Sequence, residues 1–73
     1  MDWNFRNDQP IYSQLIQRLT EAIVSGVYAP GEKLPSVREL ALEAGVNPNT
    51  VQRSLTELER EGLVFSQRTA GRF

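Results

Sequence analysis

Between residues 36 and 62 the sequence runs Ser36-Val37-Arg38-Glu39-Leu40-Ala41-Leu42-Glu43-Ala44-Gly45-Val46-Asn47-Pro48-Asn49-Thr50-Val51-Gln52-Arg53-Ser54-Leu55-Thr56-Glu57-Leu58-Glu59-Arg60-Glu61-Gly62, and two amphipathic patterns meet in it at a short turn. Ser36 followed by Glu39 forms a capping box, in which each side chain satisfies a backbone donor of the other residue. Val37, Leu40, Ala41 and Ala44 then share one face, and Gly45 supplies a left-handed stop. Asn47 is a favourable cap for the next helix, and Pro48 suits its first position because proline lacks only a donor that would be orphaned there. Val51, Leu55 and Leu58, with Ser54 beside them, form the inward stripe of a helix predicted over residues 48–61, which Gly62 closes. Ala41 is small enough for close helix approach, Gly45 admits positive φ, and Val51 fills the angle between the two helices. That spacing predicts a helix-turn-helix.

The outward face of the second helix carries the chemistry. With Val51, Leu55 and Leu58 facing in, a period of 3.6 directs Asn49, Arg53, Thr56 and Arg60 outward, flanked by Thr50, Gln52 and Glu57. Asn and Gln pair bidentately with adenine, and Arg with guanine, in the major groove. No acid occurs from Asn47 to Thr56, whereas Glu57, Glu59 and Glu61 crowd the end. Helix stability favours the reverse order, with acids first and cations last. A helix that presents its positive end to a polyanion accounts for the arrangement. A solvated face with an Arg53–Glu57 pair is the competing account, and such a pair stabilises a helix by only a few tenths of a kcal/mol.

Outward from this core, Leu63 to Ser66 read as a strand, Arg68 to Gly71 as a turn, and Arg72-Phe73 as the start of a return strand. Arg68 and Arg72 bracket the turn, where they suit phosphate or minor-groove contact beside the reading helix. Upstream, Ile11, Leu15, Leu19 and Ile23, with Tyr12, Ile16 and Ala22, recur at helical spacing, which predicts a first helix over residues 10–25. Its stripe is wide enough to leave room for a partner. Trp3 and Phe5, on alternate positions, read as an extended arm that packs its aromatics onto the core or across a dimer interface. Pro30-Gly31 marks a turn between the first and second helices. The predicted fold is mainly α with a small β-hairpin: a winged helix-turn-helix of three helices plus a wing, filling residues 1–73 as one domain.

Composition narrows the function. Eight Lys and Arg against nine Asp and Glu give a formal net charge of −1, yet seven of those eight cations are arginine. Arginine is the residue suited to bidentate base and phosphate contact, so the placement of charge matters more than its sum. The chain has no Cys and no His. It therefore lacks a disulfide, a thiolate metal site and the commonest general base, and no motif for a cofactor or metal is present. A 73-residue chain buries only about 60% of its unfolded surface, so a partner or adjoining segment is expected to add stability. No secretory or membrane-spanning run is present, which predicts a cytosolic protein without membrane contact. Against DNA binding stand two alternatives, a winged helix used for protein contact and an enzyme. The acidic balance favours the first slightly; the second lacks the residues.

The sequence resembles the N-terminal domain of GntR-type bacterial transcription regulators, and within them the YtrA subfamily. The matching stretches are Gln9-Pro10-Ile11-Tyr12, Gly26, Pro30 to Ala41, Gly45 to Val51, and Leu58 to Val64. The resemblance implies a winged helix that binds a palindromic operator in double-stranded DNA as a homodimer and usually represses transcription. It implies DNA contact by Ser36 and Arg38 of the Leu-Pro-Ser-x-Arg motif. Asn47, Asn49, Thr50, Gln52 and Arg53 would approach the groove, and Arg68, Gly71 and Arg72 would act from the wing. The wing departs from the family pattern in placing Thr69 where a glycine is usual and Arg72 where Thr or Tyr is usual. Pro48 replaces a frequent arginine, a YtrA-like trait. Family members continue into an effector or dimerisation region, so the chain reads as the DNA-binding fragment, with any small-molecule effector bound outside it.

Overall fold

A computed structural model describes residues 3–67 and 71–73. Among these residues three helices, α1 (Ile11–Val24), α2 (Val37–Ala44) and α3 (Pro48–Arg60), precede a two-stranded antiparallel hairpin, β1 (Ser66–Gln67) and β2 (Gly71–Arg72). The mainly α fold with a small hairpin is as the sequence predicts, a winged helix. α3 packs against both α1 and α2, because its Val51, Ser54, Leu55 and Leu58 are fully buried and meet Leu15 and Leu19 of α1 and Leu40 and Ala41 of α2 in one cluster. Truncating one of these leucines to alanine costs about 2–5 kcal/mol by cavity formation. Ser54 is tolerated there because its hydroxyl donates to the Thr50 carbonyl at 2.8 Å.

The helix ends follow their sequence signals. At α2 the capping box is complete: the Glu39 amide donates to Ser36 Oγ at 3.1 Å, and the Ser36 amide to Glu39 Oε1 at 3.2 Å. Gly45, at φ 67, turns the chain out of α2. At the end of α3 the Gly62 amide donates to the Glu59 carbonyl and the Leu63 amide to the Leu58 carbonyl, both at 3.0 Å. Those two bonds form a Schellman cap, with Gly62 in the left-handed region at φ 78. Pro10 is the N-cap of α1 rather than its first residue.

One element falls elsewhere than predicted. The first wing strand begins at Ser66, not Leu63, because Leu63 completes the α3 cap and Val64 is buried in the core. The register pairs Ser66 with Arg72 and Gln67 with Gly71. Reciprocal bonds between Phe65 and Phe73, at 3.0 and 2.9 Å, continue it at the base, where the two rings stack with centroids 5.9 Å apart. The Leu34 amide donates to the Arg72 carbonyl at 2.8 Å, which joins the segment before α2 to the wing.

The aromatic arm does pack on the core. Trp3 and Phe5 lie against the central cluster, with ring centroids 6.1 Å apart. Gln14 tethers the arm and is itself buried: its Oε1 accepts from the Arg6 amide at 2.6 Å, and its Nε2 donates to the Arg6 and Gln9 carbonyls at 2.8 and 2.9 Å. Sequence reading assigned Gln14 no role, since the backbone groups that satisfy it belong to an irregular segment.

Candidate nucleic-acid interface

α3 presents Asn49, Gln52, Arg53 and Thr56 to solvent, as its 3.6-residue period predicts, while Thr50 is half-buried. Asn47 is exposed but not idle, for its Oδ1 accepts from the Asn49 amide at 2.8 Å and fixes the first turn. That turn contains no acid, so unneutralised backbone N–H groups and the positive end of the helix dipole face outward. Gln52 Nε2 lies 3.4 Å from Thr56 Oγ1, whose own proton goes to the Gln52 carbonyl at 2.9 Å, so the Gln52 amide is the freer polar group of this pair.

Two of the trailing acids, Glu57 and Glu59, are engaged within the molecule. Glu57 pairs with Arg60, one turn on, and not with Arg53 as the competing reading supposed. The hydrogen bond from Arg60 holds the Glu57 carboxyl below its ordinary value of 4.5. Glu59 Oε1 accepts from Ser66 Oγ at 2.7 Å and from Arg72 Nε. Those bonds, Ser66 first and Arg72 second, lower the Glu59 carboxyl in the same way. Arg53 is held differently: its guanidinium lies over the Tyr12 ring of α1, 4.5 Å from the centroid.

Flanking groups come from α2 and the wing. Arg38 projects from the first turn of α2, exposed and without a carboxylate partner among the described residues. Ser36 is spent on capping, so its hydroxyl belongs first to the helix. Between this turn and the wing runs a cleft of about 260 Å³ lined by Lys33, Leu34, Pro35, Ser36, Val37, Gly71 and Arg72. Gly71, at φ 104, lies so near Lys33 that a Cβ there would sit 3.0 Å from Lys33 Cε. Sequence reading passed over Lys33, although it is the chain's one lysine and stands within the Pro30 to Ala41 stretch.

Arg72 does not project freely, as the sequence reading required. Its side chain is only 21% exposed and is bound to Glu59, because the short ladder brings it across the end of α3. Arg68, Thr69 and Ala70 lie outside the described residues. Among the described residues no group of acids, His or Cys could hold a metal ion, and no helix is long and apolar enough to cross a membrane.

Comparison with known proteins agrees with this architecture. Residues 11–73 match the family described as bacterial regulatory proteins, gntR family. The chain is 48% identical over 68 residues to the HTH-type transcriptional repressor YtrA of Bacillus subtilis (strain 168), covering 93% of this chain and 52% of that protein. It is 45% identical over 73 residues to the uncharacterized HTH-type transcriptional regulator YhcF of the same organism, covering 100% and 60%. It thus spans little more than half the length of these curated relatives. Among solved structures, a GntR family transcriptional regulator from Listeria monocytogenes superposes with a TM-score of 0.89 at 43% identity, over 93% of this chain and 60% of that one. The DNA-binding domain of AraR in complex with operator ORR3 gives 0.83 at 27% identity, over 100% and 86%. The chain belongs to the GntR family of bacterial regulatory proteins, and its three helices and wing are a helix-turn-helix DNA-binding domain of that family.

Proposed function

We propose that residues 1–73 are the operator-reading domain of a longer repressor that acts in the cytoplasm and binds DNA as a homodimer, with any effector held outside this domain. α3 enters the major groove, and Asn49, Gln52, Arg53 and Thr56 approach base edges or the phosphates beside them. Asn47 and Thr50 steady the leading turn, while Arg38 and Ser36 at the start of α2 meet the backbone. From the wing, Arg68 reaches a phosphate or the minor groove. Gly71 permits the close approach of Lys33, and Arg72 braces the wing while retaining outer guanidinium donors.

The observation that carries this reading is the division of charge in α3. Its leading half has no acid, and Glu57 and Glu59 behind it are each paired with an arginine. The field at the helix face is therefore more positive than the net charge of −1 implies. The similarity to the YtrA repressor, and to the AraR DNA-binding domain in complex with its operator, supports the same reading.

Selecting bound duplexes from a random pool with the full-length protein tests it. Two inverted half-sites with centres about one helical turn apart, roughly 10 base pairs, are the expected outcome. Affinity should also fall steeply as salt rises. No enrichment, together with no binding to any duplex at low salt, overturns the proposal in favour of protein contact.

A further inference from the structure

We infer that Tyr12 of α1 is a positioning residue for DNA recognition, acting through the guanidinium of Arg53; the inference rests on the operator-reading role proposed above. Tyr12 stands in the first turn of α1 and is half-buried. Its ring is covered by the Arg53 guanidinium at 4.5 Å. No hydrogen bond or ion pair from Arg53 to an acceptor is found among the described residues, so this contact fixes its side chain.

The chemistry of that contact matters. A carboxylate grips a guanidinium by its edge and uses up N–H donors, as Glu57 does with Arg60. An aromatic ring grips it by its face, attracted by the quadrupole, and leaves every in-plane donor unspent. The contact therefore restrains Arg53 without neutralising or satisfying it. Part of the rotamer freedom that an arginine loses on binding is thereby lost before DNA arrives, and preorganisation of this kind improves affinity without adding a contact. The position of the ring also constrains direction. Held over Tyr12, the guanidinium lies on the side of α3 that faces α1, which limits the acceptors on the duplex that Arg53 can meet.

The test is a double-mutant cycle in the full-length protein, measured by titration of the duplex enriched by selection and of an unrelated duplex. Tyr12→Leu should weaken binding to the selected duplex about two- to fivefold, the range expected for one partly exposed cation–π contact. Tyr12→Phe, which keeps the ring, should bind like wild type. In an Arg53→Ala background, Tyr12→Leu should produce no further loss, a result that a purely structural tyrosine would not give. NMR of the unbound protein supplies a second readout: Arg53 side-chain protons should be shifted upfield by the ring in wild type and Tyr12→Phe, and not in Tyr12→Leu. Equal losses for Tyr12→Leu with and without Arg53, or unshifted Arg53 protons in wild type, overturn the inference. Absence of any DNA binding by wild type instead removes the operator-reading role itself, whatever the proton shifts.

Discussion

The leading and trailing halves of α3 are both polar on their outer face, yet they spend that polarity differently. From Pro48 to Thr56 the outward side chains make few commitments: a weak Gln52–Thr56 side-chain contact, the Thr56 hydroxyl bonded to the Gln52 carbonyl at 2.9 Å, and an arginine resting on an aromatic face. From Glu57 to Arg60 each charge is closed by a nearby opposite one, either within the helix or on the wing. The first half keeps its hydrogen-bonding capacity for a partner; the second uses it to fix the hairpin. The contrast shows why a slightly acidic chain can offer a cationic surface, since charge paired inside the molecule does not count at the interface.

Placing an acid in the leading half should break the contrast most sharply. Asn49→Asp puts a carboxylate on the first turn, where the helix dipole favours it by about 0.3–1 kcal/mol. Thermal denaturation should therefore show an unchanged or higher midpoint. The same substitution opposes phosphate and removes an amide able to read a base edge, so affinity should fall by about fivefold to 150-fold, the loss of about 1–3 kcal/mol typical of such a contact. Affinity unchanged or raised in a variant of unchanged or higher midpoint would show that the leading turn of α3 does not face DNA.

Opening the trailing half is a smaller perturbation. Glu59→Gln releases Arg72 from its carboxylate, and a pair of this exposure contributes about 0–1 kcal/mol. Once freed, Arg72 should add up to roughly one released counterion to the salt dependence of binding, read as a steeper slope across several salt concentrations. An unchanged slope would place the guanidinium on the side of the wing turned away from the duplex.

Acid titration should show the least effect. Glu57 and Glu59 both have lowered folded values, so their stabilising contribution is fully present above the ordinary carboxylate value of 4.5. It is lost as pH falls below 4.5 and through the lowered folded values, because protonation then breaks the pairs. Unfolding followed over this range should lose part of its acid-side slope in Glu59→Gln. A slope identical to wild type would mean that the Glu59 pairs exist equally in the unfolded chain.

Much of this arrangement was legible beforehand, and the limit is physical. Val51, Ser54, Leu55 and Leu58 announce their burial because helical periodicity is a local property, and the Ser36–Glu39 box and Gly45 announce the ends of α2 for the same reason. The partners of Arg53 and Arg72 were not legible. Tyr12 and Glu59 meet them only after α1, α3 and the hairpin have packed, and nothing in the spacing of these residues encodes that meeting. Gln14 was missed because its partners are backbone atoms, which every residue possesses. The first wing strand was placed early because Leu63 and Val64 have β-like composition but serve as cap and core. For the site, sequence named the exposed ridge of α3 but not what restrains its arginine.

Arg72 also joins three parts of the chain at one residue. Its carbonyl accepts from the Leu34 amide, its side chain meets Glu59 on α3, and its backbone pairs with Ser66. The base of the wing is therefore tied to the domain by two routes, one into the segment before α2 and one into the tail of α3. The orientation of the wing is thus set jointly by α3 and by the chain entering α2, so that displacing one of these attachments should shift the wing relative to the outer face of α3.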